Sequence, residues 1–434
     1  IWLLFKRRML AASTSILFMA HPVQISSVAY VSARGDLLSA FFILCCCVMF
    51  AGFLVSGKPL AYLLSVAAAL AAFLSRENAI LIVFLLVLIS LILEGKIRLK
   101  YLCPFIVMSL LYPVLRFFVL GASGLSMHGD YLGVTDRLVN FLNIVCRYAL
   151  LLIWPHDLRM FHSTAIIKHL NYPVLLFGAA VFITALAALK RRAGRRLSPP
   201  VRFGLSWFLV CLLPVYFFFN AYPALGKALM AESWLYLPSI GFCLLFSCLC
   251  LLTRSGRIVI LSCVLVFGLI VAANSVYWRN NVAFYERTLR FLPADNILLR
   301  NLAGAYIEAG DMTKAMAVIS KLGKDYADSP VENMAYGQYY FAAGDPAEAL
   351  KYYRRILKRN FFGNYSMSLC YAKLGDINKA TEFALESFRQ NRFFQKNIVH
   401  LAGLYEKAGK IREANKYIAL AGKLDPKGDH VLFK

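Results

Sequence analysis

Ten runs of apolar residues, each long enough or nearly long enough to cross about 30 Å of hydrocarbon, occupy the first 275 residues of the chain. They lie at about 9–20, 37–55, 60–74, 79–93, 101–119, 138–154, 173–189, 203–219, 235–252 and 258–273. A segment that crosses lipid must be helical, because an open strand edge would leave backbone donors unsatisfied. The pattern therefore predicts an all-α, polytopic membrane domain over residues 1–275.

Short basic clusters between the runs indicate how the chain is threaded. They are Lys6–Arg8, Lys96–Lys100, Lys190–Arg196, and Arg254 with Arg257. If all ten runs crossed, the strongest cluster, Lys190–Arg196, would lie outside the cytoplasm, against the positive-inside rule. Run 138–154 carries Asn140, Asn143 and Arg147 at helical spacing, which favours an amphipathic helix lying at the interface. Nine spans then keep every cluster cytoplasmic and place all residues after 273 on the periplasmic or lumenal side.

The two parts of the chain differ in charge. Residues 1–275 hold 23 basic and 7 acidic side chains, whereas residues 276–434 hold 24 and 16. The whole chain is 60% hydrophobic with a mean hydropathy of +0.63, which excludes an ordinary soluble enzyme. Because the basic residues of the first part lie mostly in short runs between apolar segments, the net charge of +24 does not predict a nucleic-acid partner.

A repeated pattern follows a predicted linker at residues 276–295. Gly310, Gly344, Gly375 and Gly409 each follow a Tyr by four positions and precede an Ala by five, with spacings of 34, 31 and 34. Residues 296–434 thereby resemble four tetratricopeptide (TPR) repeats, helix-turn-helix units that stack into an α-solenoid with a concave face. In such proteins this face usually binds a protein or an extended peptide. The alternative is a purely structural array that shields the membrane domain.

Charged and polar residues recur in the segments predicted on the outer side. These candidate site residues are His21, Arg34, Asp36, Arg76, Glu77, Arg116, Glu232 and Tyr236. Ionisable groups beside lipid are costly unless they meet water, a partner or a charged ligand. Arginines near carboxylates suit the binding of a lipid-linked phosphate, with a carboxylate that orients or deprotonates an acceptor hydroxyl. Pairing among these residues, which would merely allow the helices to pack, is the alternative.

The segments that carry these residues, in their order along the chain, resemble the TPR-containing transmembrane O-mannosyltransferases of the GT-C class. They read HPVQISSVAYVSARGDLL, SREN, YPVLRFFVLG, FGLSWFLVCLLPV, AESWLYLPSIGF and WRNNVAFYERTLRFLPADN. His21 matches the His-Pro pair of that family, Arg34 with Asp36 its Arg-x-Asp, and Arg76 with Glu77 its Lys-Glu. Glu232 matches the Glu of a Glu-Arg pair in which this chain has Ser233 instead of Arg.

The resemblance implies a membrane glycosyltransferase that moves a sugar from a polyprenyl-phosphate carrier to an acceptor outside the cytoplasm, where the TPR domain presents a protein acceptor. It implies that the catalytic acid lies in a loop before Ile1, so that the chain is expected to be an N-terminally truncated enzyme. No cofactor or metal site is predicted, and dependence on a divalent metal is left open. The alternative is a membrane-anchored TPR scaffold without catalysis; a transporter is a weaker third possibility.

Overall fold

The computed structural model of the chain describes residues 1–120, 134–156, 158–159, 161–165, 198–218, 220–222, 227–293, 295–322, 329–356 and 360–424. The chain divides into two compact units, Ile1–Trp278 and Arg279–Lys434. The predicted run 173–189 and the basic cluster Lys190–Arg196 lie outside the described residues, so their part in the predicted threading remains a prediction.

Helices form most of the described part of the first unit. They span Trp2–Phe5, Arg8–Ala20, Gln24–Ala29, Arg34–Ser56, Pro59–Ser75, Ile82–Leu93, Leu99–Leu120, Val134–Ile153, Pro199–Phe218, Tyr236–Cys250 and Gly256–Ser275, with short 3-10 turns at Val31–Ala33, Glu77–Leu81, Glu232–Leu235 and Val276–Trp278. Among these residues, four helical segments are long and apolar enough to cross a membrane, judged by length and composition alone. They are Arg34–Ser56, Leu99–Phe118, Glu232–Cys250 and Gly256–Trp278. Four shorter apolar helices lie at Arg8–Ala20, Pro59–Ser75, Glu77–Leu93 and Pro199–Val215.

The helix Val134–Ile153 covers the run 138–154, for which an interfacial amphipathic helix is predicted. Asn140 and Asn143 are only 1% and 3% exposed, and the apolar Ile144 is buried with them. Arg147, the third polar residue of the predicted stripe, is exposed. The helix therefore buries a face of mixed polarity, and its place at the membrane interface stays a prediction.

A small antiparallel sheet interrupts the helices and corrects the all-α prediction. Strands β1 (Phe161–Ala165), β2 (Asn220–Tyr222) and β3 (Lys227–Ala231) pair in the order β1-β3-β2. In the pairing of β1 with β3, Phe161 lies opposite Ala231. Strand β3 leads directly into Glu232, and the sheet therefore fixes where the next helical segment begins.

Two helices of the first unit approach each other very closely at a pair of glycines. A Cβ atom placed on Gly241 would lie 2.5 Å from the carbonyl oxygen of Gly204 and 2.7 Å from the backbone nitrogen of Phe208. Contacts of this kind between small residues allow helix backbones to approach each other in membrane proteins. They hold helices Pro199–Phe218 and Tyr236–Cys250 together, with Trp207 Nε1 donating to the carbonyl oxygen of Leu237 at 3.0 Å.

The second unit consists of helices packed as consecutive hairpins. Its four described hairpins comprise Asn296–Glu308 with Met312–Ile319, Pro330–Ala342 with Pro346–Arg355, Phe361–Lys373 with Ile377–Gln390, and Gln395–Lys407 with Ile411–Leu424. They are called repeats 1 to 4 below, each with a first and a second helix. The segment predicted as a linker contains a further helix, Asn281–Phe291, whose Glu286 accepts a hydrogen bond from Tyr306 of repeat 1.

The turns of the hairpins confirm the repeat pattern. All four turn glycines have left-handed φ values between +74° and +89°, which glycine adopts without steric cost. The residue after each turn glycine donates a backbone hydrogen bond, at 2.9–3.0 Å, to the carbonyl oxygen of the pattern Tyr of the same repeat, as Asp311 does to Tyr306. Asp311, Asp345 and Asp376 then cap the second helices of repeats 1 to 3. The four repeat alanines are 0–2% exposed where the paired helices touch.

Candidate functional site

A cavity of about 280 Å³ gathers several of the predicted site residues of the first unit. Asp36, Arg76, Glu77 and Tyr236 line it, together with Asn78, Ser233 and Trp234. Leu81, Cys211, Pro214, Val215, Leu237 and Pro238 form the rest of its wall. The cavity thus combines charged groups, amide and hydroxyl groups, and two aromatic side chains.

Local structure explains why the charged side chains meet. Asp36 lies in the first turn of helix Arg34–Ser56, where a carboxylate interacts favourably with the helix N-terminus. Arg76 ends helix Pro59–Ser75 in an extended conformation, and Glu77 begins the next 3-10 turn. Gly35 brings the two helix ends together, since a Cβ at that position would lie only 3.3 Å from the carbonyl oxygen of Ser75.

Two carboxylates and two guanidinium groups form a continuous chain of ion pairs. Asp36 Oδ1 lies 3.1 Å from Arg76 Nε, which lies 3.9 Å from Glu77 Oε1. Glu77 Oε2 is 2.8 Å from Arg116 Nη1, which also donates to the hydroxyl of Tyr112 at 3.2 Å. Asn78 Nδ2 donates to Asp36 Oδ1 at 3.3 Å. Arg116, although it does not line the cavity, thus joins the site through Glu77.

Glu232 occupies a different environment from the one expected at the start of a span. It is 1% exposed, and its Oε1 accepts hydrogen bonds from the backbone N–H of Arg159 at 2.6 Å and from His162 Nε2 at 2.8 Å. Arg159 Nε donates to the other ring nitrogen of His162, Nδ1, at 3.1 Å. Glu232 therefore anchors the end of the sheet behind the cavity wall that begins at Ser233.

His21 is also enclosed by protein. It is 1% exposed; its Nδ1 accepts from the backbone N–H of Val23 at 3.2 Å, and its Nε2 donates to the carbonyl oxygen of Leu152 at 2.9 Å. Burial lowers the pKa of His21 to about 4, so the ring is neutral at physiological pH. Arg34 is exposed two residues before Asp36. The structure therefore does not bring His21, Arg34 or Glu232 into the cavity lining.

Several residues at and around the cavity were not among the predicted site residues. Asn78 follows Glu77 directly, and Trp234 lies between Glu232 and Tyr236, so proximity to predicted residues was the available signal. His162 and Arg159 carry no local signal of this kind. Their role depends on the pairing of β1 with β3, which brings together residues 70 or more positions apart.

The second candidate site is the face formed by the first helices of the repeats. In the first helix of repeat 3, Phe362, Tyr365, Leu369 and Lys373 share one stripe; the first three are partly buried and Lys373 is exposed. The corresponding stripe in repeat 4 contains Lys396, Val399, Gly403 and Lys407. These two stripes are called the groove stripes below.

Within the described part of the chain, no group of three or more His, Cys, Asp and Glu side chains is arranged to hold a metal ion. The cavity carboxylates Asp36 and Glu77 are instead occupied by the arginines described above.

Comparison with known proteins bears on the second unit. The family model of the tetratricopeptide repeat matches residues 299–329 and 334–360. The chain contains tetratricopeptide repeats. No curated protein matches the sequence.

Solved structures show a likeness at low identity. MamA of Desulfovibrio magneticus RS-1 is 16% identical over 34% of this chain and 85% of its own, with a TM-score of 0.29. YrrB, described as a TPR protein with an unusual peptide-binding site, is 15% identical over 37% and 84%, with a TM-score of 0.27. Yeast Tom70 is 11% identical over 86% and 83%, with a TM-score of 0.31. These matches give no support to the O-mannosyltransferase resemblance, which stays a prediction.

Proposed function

We propose that this protein is a membrane-anchored TPR scaffold, whose repeats bind an extended segment of a partner protein. The observation that carries the proposal is the pair of groove stripes, in which partly exposed apolar side chains and exposed lysines lie along the consecutive first helices of repeats 3 and 4. Stacked repeats present such stripes as one extended surface. Extended peptides are recognised on surfaces of this kind through pockets for alternate side chains.

We further propose that the apolar helices of the first unit span the membrane and that the repeats lie on its outer side. The meeting of Asp36, Arg76, Glu77, Arg116 and Tyr236 supports this threading, because alternating spans put the helix ends that carry these residues on one side. Cysteine labelling of sealed membrane vesicles of known orientation tests the proposal. A cysteine introduced in place of the exposed Lys416 should react with an impermeant reagent only where the outer face is accessible, and reaction from the cytoplasmic face would overturn it.

Site-specific photo-cross-linking tests the scaffold function in the full-length chain in its native membrane. A photoreactive residue at Leu369, on a groove stripe, should cross-link a partner protein. The matched control is Glu382, which is exposed on the second helix of the same repeat. Cross-linking restricted to position 369 supports the proposal, whereas equal cross-linking at both positions, or none at either, would contradict it.

The cavity supports a second candidate function, transfer of a sugar from a polyprenyl-phosphate carrier to a protein acceptor. Its combination of arginines, carboxylates and the aromatic residues Trp234 and Tyr236 suits a ligand that joins a phosphate to a sugar. In this proposal Arg76 and Arg116 hold the lipid phosphate, and a carboxylate of the cluster orients the acceptor hydroxyl.

Transfer from radiolabelled lipid-linked sugars into protein, measured with membranes that contain the full chain, tests the second function. Arg116→Ala should reduce transfer roughly tenfold or more, because a charge-stabilising contact is lost. Arg98→Ala is the matched control, since Arg98 also pairs with a glutamate, Glu94 at 2.9 Å, but lies away from the cavity lining. Equal activity of both variants and the wild type would overturn this assignment.

A further inference from the structure

An aromatic cluster lies where repeat 3 meets repeat 4. The ring centroids of Phe361 and Phe394 are 5.1 Å apart, and those of Tyr365 and Phe394 are 5.0 Å apart. Phe362 joins them at 6.3 Å from Phe394. The neighbouring Phe393 is 79% exposed, although burying a phenylalanine side chain is worth roughly 1.5–3 kcal/mol. This exposed edge of an otherwise packed cluster is an apolar contact surface.

Three lysines lie on the two first helices that carry this cluster: Lys396 is two residues after Phe394, and Lys373 and Lys407 lie at the opposite, C-terminal ends of the helices. Lys373, Lys396 and Lys407 all belong to the groove stripes, and the same two helices contain a single acidic residue, Glu406. None of the three forms an ion pair with a carboxylate in the described part of the chain. The second helix of repeat 3 differs, because Arg389 pairs there with Glu386 at 3.2 Å. Positive charge that is not neutralised is thus concentrated on the groove side.

Helix stability alone explains two of these lysines but not the third. Lys373 and Lys407 lie in the last turns of their helices, where cations interact favourably with the helix dipole. Lys396 is the second residue of helix Gln395–Lys407, where a cation is unfavourable. This first turn contains no acidic residue, and the N-cap residue Phe394 provides no side-chain hydrogen bond. Lys396 therefore lies where it weakens its own helix and adds charge beside the aromatic cluster.

We infer that the groove of repeats 3 and 4 binds an acidic, extended segment of the partner protein that carries an aromatic or large aliphatic anchor. The anchor contacts Phe362, Tyr365 and Phe393, and the carboxylates of the segment interact with Lys373, Lys396 and Lys407. This inference rests on the proposed scaffold function and adds the chemistry of its partner. Charge complementarity favours a protein segment over a nucleic acid, because Glu308 and Glu406 interrupt the positive charge along the first helices.

Fluorescence anisotropy with the full chain in detergent micelles tests the inference. The probe is a labelled peptide of about ten residues with one Phe among Asp and Glu residues. It should bind at least about tenfold more tightly than peptides in which lysines replace the acidic residues or Ala replaces the Phe. Its affinity should also fall as salt is raised from about 50 to about 300 mM, because exposed charges are screened.

Charge reversal of a lysine separates binding from folding. Lys396→Glu should weaken binding roughly tenfold while thermal stability stays the same or rises, because a carboxylate suits the first turn of a helix. Lys416→Glu, which makes the same charge change at an exposed position on a second helix, should leave affinity within about twofold. Equal weakening by both variants, or equal binding of acidic and basic peptides, would overturn the inference.

Two further outcomes are informative. An unlabelled oligonucleotide (single-stranded) and the unlabelled acidic peptide can be compared as competitors of the labelled peptide. If the oligonucleotide displaces the labelled peptide at the lower concentration, the inference is overturned in favour of a nucleic acid. Cross-linking of a partner at Leu369 without any preference for acidic peptides would overturn the inference alone and leave the scaffold function intact.

Discussion

The packing of Gly337 beneath Tyr353 gives a quantitative test of repeat 2. A Cβ placed on Gly337 would lie 2.7 Å from both Cδ1 and Cζ of the Tyr353 ring, closer than real Cβ atoms approach their neighbours. Tyr353 is one of the largest fully buried side chains and cannot move away without disturbing the core between repeats 2 and 3. We therefore expect Gly337→Ala to destabilise this repeat.

The magnitude follows from two opposing contributions. Replacing Gly by Ala inside a helix stabilises it by roughly 0.5–1 kcal/mol, whereas overpacking a core costs roughly 1–3 kcal/mol. Gly304, in the first helix of repeat 1, provides the control, because no atom lies within 4 Å of a Cβ placed there. Gly304→Ala should therefore stabilise its repeat. The difference between the two variants, about 1–3 kcal/mol, isolates the cost of the clash with Tyr353.

Hydrogen–deuterium exchange of the full chain in detergent measures these changes locally. Amides of Pro330–Ala342 and Pro346–Arg355 should exchange faster in Gly337→Ala, and amides of Asn296–Glu308 should exchange more slowly in Gly304→Ala. Adding Tyr353→Leu to Gly337→Ala removes the ring that the new methyl group meets. The double variant should therefore lose less protection than the sum of the single changes. Equal protection in the two single variants would refute the packing argument.

Three further predictions concern charge, pH and helix packing. Glu77→Gln removes the carboxylate that neutralises Arg116. Pyrophosphate should then raise the melting temperature of the variant more than that of the wild type, and equal shifts in melting temperature would count against a phosphate site. Burial lowers the pKa of His400 to about 4 from an ordinary 6.5, so its contribution to stability should be complete above pH 6.5 and decline by at most about 3 kcal/mol as the pH falls to 4. Urea unfolding at several pH values, with His400→Gln as the control that flattens the dependence, measures this. Gly241→Ala should destabilise the first unit by about 1–3 kcal/mol, whereas Gly268→Ala, which has no neighbouring atom within 4 Å, should not; equal thermal stability in detergent would disprove the close helix contact.

The repeats could be predicted from the sequence because their information is local. Each turn requires a glycine with positive φ, and in repeats 1 to 3 an Asp follows it and caps the next helix. A few consecutive residues thus specify the turn, and the Tyr and Ala at fixed distances specify how the two helices pack. The helix Asn281–Phe291 was missed because it precedes the first repeat and lacks this turn pattern.

The composition of the cavity could be predicted in part, because it follows from the alternation of apolar runs. If successive runs cross in opposite directions, every second connection lies on the same side, and Asp36, Glu77, Arg116 and Tyr236 are then on one side, where they can meet. The partners of His21 and Glu232 could not be predicted in this way. Their hydrogen bonds join residues 131 and 70 positions apart and depend on a helix packing and a strand pairing that no local pattern specifies.

The helix Val134–Ile153 shows a further limit of sequence patterns. The spacing of Asn140, Asn143 and Arg147 predicts a single polar stripe, but the two asparagines are buried and Arg147 is exposed. The buried face also contains apolar side chains such as Ile144 and Tyr148. The sequence period thus predicts the helix, whereas the segments packed against it decide which of its side chains are buried.

The cavity charges set a condition on any anionic ligand. Asp36 and Glu77 balance Arg76 and Arg116, so the cluster has no excess positive charge before a ligand binds. Arg116 can hold a phosphate beside Glu77, because Glu77 and the Tyr112 hydroxyl both contact Nη1 and a guanidinium group carries further N–H donors. The Glu77 carboxylate would then lie next to the phosphate and share Arg116 with it. In the second proposed function, this places Glu77 where it could accept a proton from an incoming hydroxyl.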